Sequence, residues 1–436
     1  MRKKENLLEK LEAVSIPYPN IIDLTLDRVL SLLDKIGNPH LKLPPIIHVA
    51  GTNGKGSTIA FISAILRASG KKLHIYTSPH LTEINERIVI SNKKVAYEEL
   101  ISALDYCVKK KNFDPITQYE LLTCASFYLM SQYSADVAII ETGLGGRLDA
   151  TNVHPSPLIS IMTPISYDHE HFLGNKLKLI AREKAGIIKK GVKCVSSFQL
   201  KEAQEELESA TKKVNAELLI CGKNWGYKKI ANGFKIMEKR KDLFLPLPKM
   251  EGLHQIENAA LAAYSITKIE SLDISKKYID LGILNAVWKG RLEKINKGYL
   301  KRIKPKGYEI WVDGGHNVSA AKAIREWIKQ EKNKYSVEKF ILICAFLKTK
   351  DVSKMLKIIG SKVDEIIFVQ IPEFEKFYPI EKLRQISNNL RIKNSDHLSI
   401  DLAIKNLSPV NSGRILIFGS LYLVGAALEL NDYDRC

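Results

Sequence analysis

A short apolar run that leads through a glycine-rich turn into a helical segment is the feature that most constrains the fold of this chain. The run PPIIHVA starts at Pro44, and the turn GTNGKGS spans Gly51 to Ser57. Behind the turn, the apolar residues of STIAFISAILRASG recur at helical spacing. A strand, a glycine turn and a helix in this order predict a loop whose backbone N–H groups and helix N-terminus face phosphate oxygens.

The side chains of this turn suit a nucleotide and its metal ion. Lys55 can reach the β- and γ-phosphates, and the hydroxyl group of Ser57 can bind Mg²⁺. The turn departs from the general GxxxxGK[ST] pattern, because Gly56 stands between Lys55 and Ser57. The residues that we predict to bind ATP here are Gly51, Thr52, Asn53, Gly54, Lys55, Gly56 and Ser57.

Apolar, strand-like runs follow along the rest of the chain, and amphipathic segments separate many of them. One group lies at residues 72–77, 136–142, 158–166 and 194–198, and another lies at 309–315, 339–345, 365–371 and 414–420. Alternation of strand and helix patterns predicts an α/β fold with a largely parallel, doubly wound sheet. The second group of runs predicts a further, smaller α/β domain.

The predicted domain boundary lies in a basic stretch without a long apolar run. A chain of 436 residues usually forms more than one hydrophobic core. Between Leu292 and Ile310 the sequence EKINKGYLKRIKPKGYE contains Gly and Pro and is typical of a linker or an edge hairpin. We predict an N-terminal domain at 1–293, a linker at 294–308 and a C-terminal domain at 309–436.

Cysteine usage and hydropathy indicate a protein of a reducing compartment. The six cysteines are scattered without a CxxC pair, so we expect reduced and mostly buried thiols. No segment approaches the roughly 20 apolar residues that span a bilayer, and the basic N-terminus is not followed by a long apolar stretch. We expect a soluble, cytoplasmic protein. The cysteines are Cys107, Cys124, Cys194, Cys221, Cys344 and Cys436.

The formal net charge of +18 favours anionic partners without selecting one. Lysines scattered over solvated surfaces would explain this charge, and so would a surface that attracts anionic small substrates. The basic residues do not gather in one helix or tail, and neither an RNP-type aromatic motif nor a paired Cys/His finger is present in the sequence. We therefore expect small-molecule substrates and neither a nucleic-acid nor a membrane partner.

Further candidate site residues follow strand-like runs. Glu141 ends the run DVAIIE and precedes a glycine-rich turn, where α/β nucleotide sites place a metal-binding carboxylate. His169 follows another run and could be a metal ligand. Lys184 lies on an amphipathic helix, where a solvated lysine is the ordinary interpretation. Asp313 and His316 end the first run of the second domain, a position where such folds place ligand contacts.

These segments resemble the folylpolyglutamate synthase/dihydrofolate synthase branch of the Mur ligase superfamily, from about Ile21 to Gly425. Their order along the chain is more specific than any single motif. The matching segments are HVAGTNGKGS, TSPHL, NERI, ETGLGGRLDATN, SYDH with its following LG, REKAGIIK, HQ with its following NA, GRLE, DGGHN and GSLYLVG.

The resemblance implies an N-terminal ATPase domain with a modified P-loop, a Rossmann-like C-terminal domain and substrates held in the cleft between them. It implies ATP and Mg²⁺ as cofactors, with K⁺ as a further candidate cation, and a carbamylated Lys184. Lys55, Glu141, His169 and Lys184 would be catalytic. The implied metal ligands are Ser57, Ser78, Glu141 and His169. The implied ATP contacts outside the turn are Asn258, Arg291, Asp313 and His316, and the implied glutamate-side residue is Ser420.

Four positions depart from the family's usual pattern. Thr142 replaces a valine, Gly315 replaces the alanine of DGAHN, and Tyr119 replaces the phenylalanine of T-x-F-E. Thr25 stands where glycine is common, which affects the loop expected on the pterin side. None of these departures removes a charged or metal-binding group.

The resemblance implies ligation of L-glutamate to dihydropteroate, to folate polyglutamates or to both, through an acyl phosphate with release of ADP and phosphate. No nucleophilic side chain is required. A peptidoglycan-precursor ligase that acts on a UDP-linked acid is the alternative within the same chemistry. A nucleotide-gated binding protein or a nucleic-acid-binding ATPase is the alternative from another class. We expect a monomer.

Overall fold

The computed structural model describes Leu11 and residues 24–239, 241–371 and 374–432. Ile21, where the resemblance begins, and Cys436 lie outside the described residues. The other five cysteines are free thiols in buried positions, as predicted. Among the described residues, no helix is both long and apolar enough to cross a bilayer.

The chain forms two compact units. The first comprises residues 1–249 and 256–287, and the second comprises residues 250–255 and 288–436. The predicted linker, residues 294–308, is grouped with the second unit. It contains part of a short strand and a short helix. The functional boundary between the domains stays a prediction.

The first unit is built on an eight-stranded sheet with the order β4-β3-β2-β5-β1-β6-β7-β8. All neighbouring strands from β2 to β8 in this order run parallel, and only β3 and β4 at one edge are antiparallel. The strands are β1 (Ile46–Ala50), β2 (Leu73–Tyr76), β3 (Ile88–Ile90), β4 (Lys93–Lys94), β5 (Val137–Glu141), β6 (Ile159–Met162), β7 (Cys194–Ser196) and β8 (Leu218–Ile220).

Helices cover this sheet because its central strands are apolar along their whole length. Every residue of β1 and β5 is buried, as expected for parallel strands covered on both faces. The helices of this unit are α1 (Asp27–Lys35), α2 (Lys55–Ala68), α3 (Tyr97–Lys111), α4 (Gln118–Ser131), α5 (Glu170–Leu173), α6 (Leu177–Ala185), α7 (Lys201–Lys213), α8 (Leu253–Thr267) and α9 (Lys276–Asn285), and the first three residues of α8 are grouped with the second unit.

Two apolar clusters of the first unit flank the strands that carry the candidate site. One joins α1, α3 and α4 to Ala138 and Ile140, which are alternate residues of β5 and therefore face the same side of the sheet. The other joins α6 and α7 to Ala50 and Met162. Packing of both clusters fixes the ends of β1, β5 and β6 relative to one another.

A small antiparallel sheet in the first unit was not predicted from the sequence. Its strands are β9 (Gly226–Ile230), β10 (Gly233–Glu238) and β11 (Lys241–Leu245), with β10 in the centre. Lysines occupy many of its positions, so the apolar alternation that marks a half-buried strand is weak here.

The second unit is built on a six-stranded sheet with the order β12-β13-β17-β14-β15-β16. Only β12, at one edge, is antiparallel to its neighbour. The strands are β12 (Glu293–Lys294), β13 (Tyr308–Asp313), β14 (Lys339–Cys344), β15 (Glu365–Val369), β16 (Asn394–His397) and β17 (Gly413–Phe418). The helices are α10 (Tyr299–Ile303), α11 (Val318–Tyr335), α12 (Val352–Ile359), α13 (Ile380–Asn389), α14 (Ile400–Lys405) and α15 (Leu421–Asp432).

Two α/β units with mostly parallel sheets confirm the predicted fold class. The apolar strands β14 and β15 lie within the runs that the sequence pattern marked, and β13 and β17 each begin one residue before theirs. The edge strand β16 was missed, because its sequence NSDH carries no apolar residue.

Candidate functional site

The carboxyl ends of four neighbouring strands bring the predicted residues of the first unit together. In the order β2-β5-β1-β6, the chain leaves β2 toward Ser78, β5 ends at Glu141, β1 leads into Gly51, and β6 leads toward His169. Val49 and Glu141 are register partners in adjacent parallel strands. Ligand contacts of open α/β sheets collect at this edge.

Two glycines give the turn its shape. Gly51 has a φ of 144°, and a Cβ atom there would lie 1.9 Å from Oγ1 of Thr163. Gly54 has a φ of 84°, and a Cβ atom there would lie 2.4 Å from Oδ1 of Asn258. Neither position accepts a side chain without a shift of its neighbours. The close approach also places the Asn258 amide at the turn, as the resemblance implies.

Hydrogen bonds to the segment after β6 hold the middle of the turn. The backbone N–H of Thr52 donates to the carbonyl of Pro164 at 3.0 Å. The Thr52 hydroxyl lies 3.1 Å from the Ser166 carbonyl, and the amide of Asn53 donates to the Ser166 hydroxyl at 3.2 Å. The side chains of Thr52 and Asn53 thus brace the loop, and Ser57 is buried in the first turn of α2.

Lys55 and Glu141 form a mostly buried ion pair. The ammonium nitrogen of Lys55 lies 3.7 Å from Oε1 of Glu141, and the two side chains are 15% and 5% exposed. Oε2 of Glu141 accepts a hydrogen bond of 3.3 Å from the backbone N–H of Ser78. The sheet therefore assembles the phosphate lysine, the strand-end carboxylate and the loop after β2 in one place.

Lys184 is buried, so its ordinary interpretation as a solvated helix lysine is wrong. Its side chain extends from α6, and Nζ donates to the carbonyl oxygen of Gly51 at 2.8 Å. Burial and, to a smaller extent, the charge of Lys55 together lower the pKa of Lys184 to about 7, against the opposing effect of the Asp168 and Asp149 carboxylates. A lysine with this pKa is about half neutral at pH 7.

His169 stands in the left-handed region, with a φ of 52°, immediately before the short helix α5. Its backbone N–H donates to Oδ1 of Asp168 at 2.9 Å. Because the Asp168 carboxylate acts on the pKa of Lys184, this loop lies close to the lysine. The role of the imidazole as a metal ligand stays a prediction.

Asp149 organises the loop after Glu141, and sequence reasoning assigned it no role. Its Oδ2 accepts hydrogen bonds from the backbone N–H groups of Gly143 at 2.9 Å and Leu144 at 2.7 Å. Its Oδ1 accepts from the N–H and the hydroxyl of Thr151 at 3.0 and 2.6 Å. An Asp flanked by a glycine-rich turn and a threonine is the local signal for such a loop-closing carboxylate.

Arg28 and Glu120 connect helix α1 to α4. Nε of Arg28 donates to both oxygens of Glu120 at 3.2 and 3.0 Å, and its NH2 donates at 2.8 Å. Glu120 also closes a capping box, in which Thr117 accepts from the Glu120 N–H. Thr117 and Glu120 of the T-x-F-E pattern therefore stabilise the start of α4, and Glu120 also binds α1 through Arg28.

The Glu141 carboxylate, with the loop of Ser78 bound to it, suits a magnesium ion by the chemistry of its oxygen ligands. Within the described ranges, no three His, Cys, Asp or Glu side chains converge as a metal-binding group. Magnesium commonly uses one or two carboxylates and completes its shell with phosphate oxygens and water, so Glu141 with serine hydroxyls suits it better than zinc.

The candidate residues of the second unit gather where β13 ends. Oδ2 of Asp313 accepts from the N–H of Leu292 at 3.0 Å, and Oδ1 accepts from the N–H of Gly315 at 2.8 Å. Nδ1 of His316 lies 2.9 Å from the Gly314 carbonyl. A Cβ atom on Gly314 would lie 2.9 Å from a guanidinium nitrogen of Arg291, which places that side chain beside the same loop.

Two further residues of this unit have local structural partners. The Ser420 hydroxyl accepts from the N–H of Leu423 at 2.9 Å and so caps α15. Gly315 leaves no room for the alanine of the family pattern, because its Cβ atom would lie 2.7 Å from Ala320 and 2.8 Å from both Asp313 and Phe418. The glutamate-side role of Ser420 stays a prediction.

Comparison with known proteins decides the family. The Mur ligase middle domain model matches residues 49–266, and the dihydrofolate synthetase C-terminal domain model matches residues 295–430. The probable dihydrofolate synthetase of Schizosaccharomyces pombe is 32% identical over 435 residues, which cover 93% of this chain and 97% of that protein. The chain belongs to the dihydrofolate synthase/folylpolyglutamate synthase family. The predicted family is confirmed.

Solved structures of this family extend over the whole chain. FolC of E. coli in complex with DHPP and ADP has a TM-score of 0.87 and 25% identity, covering 99% of this chain and 98% of that one. A bifunctional folylpolyglutamate synthase/dihydrofolate synthase with Mn, AMPPNP and L-glutamate bound has a TM-score of 0.83 and 26% identity, covering 98% of each chain. The chain is accordingly an ATP-dependent ligase of folate metabolism, as predicted.

Proposed function

We propose that this chain joins L-glutamate through an amide bond to dihydropteroate, to folates or to both, and that ATP activates the accepting carboxylate as an acyl phosphate. The observation that carries the proposal is the convergence of Lys55, Glu141 and Lys184 on the phosphate turn at Gly51. The family membership of the chain supplies the substrate class.

The reaction needs activation because a carboxylate does not react with an amine in neutral water. Transfer of the γ-phosphoryl group to the carboxylate replaces a poor leaving group by phosphate, and the amine of glutamate then displaces it. The products are the amide, ADP and phosphate. The main task of the protein in such a reaction is to position the reactants and to balance charge.

Lys55 and the turn supply most of that charge balance. The Lys55 ammonium group, freed from Glu141 when anionic phosphates arrive, would hold the β- and γ-phosphates beside the backbone N–H groups of residues 51–57. Bound Mg²⁺ would polarise the phosphate oxygens, and Ser57, Ser78, Glu141 and His169 are the residues that would hold it.

Lys184 would act as a carbamate. Its buried nitrogen and its pKa of about 7 leave a large neutral fraction, which CO₂ requires for addition. A carbamate is an anion. The carbamate of Lys184 would therefore attract the Lys55 ammonium group, which repels the protonated lysine, and it would help to orient the metal. K⁺ as a further cation, the cytoplasmic location and the monomeric state stay predictions.

Dihydropteroate and folates are the two candidate acids that would accept the glutamate. The C-terminal family model and the fission yeast relative are both described by dihydrofolate synthetase, which favours dihydropteroate. ADP release measured with ATP and glutamate, in the presence of either dihydropteroate or tetrahydrofolate, tests this choice. Turnover that depends on neither acid would contradict the proposed function and would point to the binding-protein or nucleic-acid ATPase alternatives.

A further inference from the structure

Gln199 is a buried polar residue to which neither the sequence pattern nor the resemblance assigns a role. It follows the last residue of β7, Ser196, by three positions and precedes α7 by two. Its side chain is only 3% exposed. A glutamine is rarely buried to this extent unless its amide group has hydrogen-bond partners, so the partners of Gln199 indicate what it does.

The amide group of Gln199 binds both ends of a short tripeptide that follows β6. Its Oε1 accepts from the backbone N–H of Ile165 at 3.0 Å, and its Nε2 donates to the carbonyl of Thr163 at 3.1 Å. Nε2 also lies 3.0 and 3.2 Å from the hydroxyl oxygens of Ser196 and Ser197. An amide turned the other way would set its oxygen against a carbonyl oxygen, so these partners fix its orientation.

These two bonds extend the pairing of β6 with β7 beyond the end of the strands. Ser196 is the register partner of Met162, and the N–H of Ser197 still donates to the Met162 carbonyl at 2.9 Å. The main chain then continues into α7, and the side chain of Gln199 takes the place of a strand peptide by offering one acceptor and one donor. The buried segment after β6 needs such partners, because it is neither helix nor strand.

The segment that Gln199 holds, residues 163–166, also braces the phosphate turn. The Pro164 carbonyl accepts from the N–H groups of Thr52 and Asn53 at 3.0 and 3.4 Å. The N–H of Ser166 donates to the Thr52 hydroxyl oxygen at 3.0 Å, and that hydroxyl lies 3.1 Å from the Ser166 carbonyl. Backbone groups of one short segment therefore connect the Gln199 amide to the first half of the turn.

We propose that Gln199 is a positioning residue for nucleotide binding, which acts through residues 163–166 on the phosphate turn. By fixing this segment, Gln199 holds Thr52 and Asn53 in place, so that the N–H groups at the start of α2 face the phosphate oxygens. The Thr163 carbonyl also borders the turn, since a Cβ atom on Gly51 would lie 2.9 Å from it. The inference rests on the assignment of residues 51–57 to the ATP phosphates, which belongs to the proposed function.

The test measures the affinity for AMPPNP in the presence of Mg²⁺ by isothermal titration calorimetry. Gln199→Met removes both amide contacts and keeps an unbranched side chain of similar length. A displaced turn should lose about one hydrogen bond to a charged phosphate group, so we expect the dissociation constant to rise about tenfold. Hydrogen–deuterium exchange at residues 51–57 should become faster in the same variant. Gln199→Asn, whose amide is too short to reach both partners, is used if Gln199→Met does not fold.

Ser160→Ala is the matched control for a loosened strand. Ser160 is buried in β6, three residues before Thr163, and its hydroxyl donates to the Ile187 carbonyl at 2.9 Å. Thermal unfolding measures how much stability each variant loses. The control should keep the AMPPNP affinity and the exchange of the turn close to those of the wild type. Equal weakening of AMPPNP binding in the two variants would overturn the proposal, because a general loss of stability would then explain both.

Two further results separate this inference from the assignment on which it rests. Unchanged AMPPNP affinity in the Gln199 variant overturns the proposal, and so does weaker binding without faster exchange at residues 51–57. Lys55→Ala, measured alongside, tests the turn itself. If Lys55→Ala binds AMPPNP as tightly as the wild type, the phosphate assignment of the proposed function is wrong, and the role of Gln199 falls with it.

Discussion

The side-chain nitrogen of Lys184 and the carbonyl oxygen of Gly51 lie 2.8 Å apart, and Lys55 approaches the same oxygen at 3.3 Å. Two lysines from different helices thus share one acceptor at the start of the phosphate turn. Two like charges this close disfavour protonation of both amines. The pKa of Lys184 is lowered because Lys184 is the more buried of the two lysines.

The first prediction is that Lys184 carries a carbamate. With ¹³C-labelled bicarbonate, the wild-type enzyme should show a carbamate signal by NMR that is absent from Lys184→Ala. Lys184→Ala should be folded and inactive, and acetate should restore part of its activity by supplying the missing carboxylate. Lys184→Arg is the matched control, because it keeps a cation that cannot be carbamylated. Near-normal turnover of Lys184→Arg would show that a cation is what the site needs.

The second prediction is that Lys55→Ala lowers kcat/KM at least about 100-fold without unfolding the protein, the scale on which one preorganised charge acts. The variant also removes the ion pair between Lys55 and the buried Glu141 carboxylate, so a moderate loss of thermal stability should accompany it. Lys109→Ala, on the exposed face of α3, is the control. If Lys55→Ala turned over substrate about as fast as Lys109→Ala, the phosphate turn would not take part in the mechanism.

The third prediction concerns the metal. Glu141→Gln and His169→Asn should each shift the Mg²⁺ titration of activity to higher concentration, by about tenfold or more. Asparagine is chosen at position 169 because it tolerates the positive φ of the native backbone, so the change isolates the loss of the imidazole. Unchanged Mg²⁺ curves for both variants would show that neither residue serves the metal.

The phosphate turn could be predicted from the sequence because its signals are local. A buried strand, glycines that need unusual backbone angles and a helical period occur within a few residues around Lys55. Glu141 could be placed for the same reason, since a carboxylate at the end of an apolar run points to the edge of a parallel sheet. The family resemblance then ordered the remaining motifs along the chain.

The burial of Lys184 and the role of Asp149 could not be predicted in this way. Lys184 lies on a helix whose pattern also allows a solvated lysine, and only the packing of α6 against the turn buries it. Asp149 accepts hydrogen bonds from backbone N–H groups. Because almost every residue has such a group, the residue types in the sequence do not indicate which ones bind Asp149. Tyr119 was identified as a departure, but its contact with Asp149 arises from tertiary structure.

The fourth prediction is that Gly315→Ala destabilises the protein, although alanine is usual at this position in the family pattern. The added methyl group would meet Ala320, Asp313 and Phe418 at 2.7 to 2.8 Å, and overpacking of this kind typically costs about 1–3 kcal/mol. Gly226→Ala in β9 is the control, since its Cβ atom would meet only the end of Met237 at 3.5 Å. Urea unfolding that ranks the two variants equally would contradict the prediction.

The last prediction is that buried histidines make the first unit sensitive to mild acid. Burial lowers the pKa of His48 to about 3, with Lys189 adding to the effect, and burial lowers that of His154 to about 3, with His48 and His40 adding to it. Both rings are neutral in the folded state and titrate near 6.5 when unfolded. Their contribution to stability is therefore complete above about pH 6.5 and is lost as the pH falls from there toward 3.

His154→Leu isolates one of these contributions. Relative to that of the wild type, its free energy of unfolding should increase by about 2 kcal/mol when the pH is lowered from 7.5 to 5.0, since the wild type loses about 1.4 kcal/mol of stability per pH unit below 6.5. Glu257→Gln should show the opposite sign, because burial raises the pKa of Glu257 to about 7 and the wild type therefore gains stability on protonation. Urea unfolding at the two pH values measures both differences, and a His154→Leu difference that does not change with pH would mean that this ring accepts a proton in the folded state.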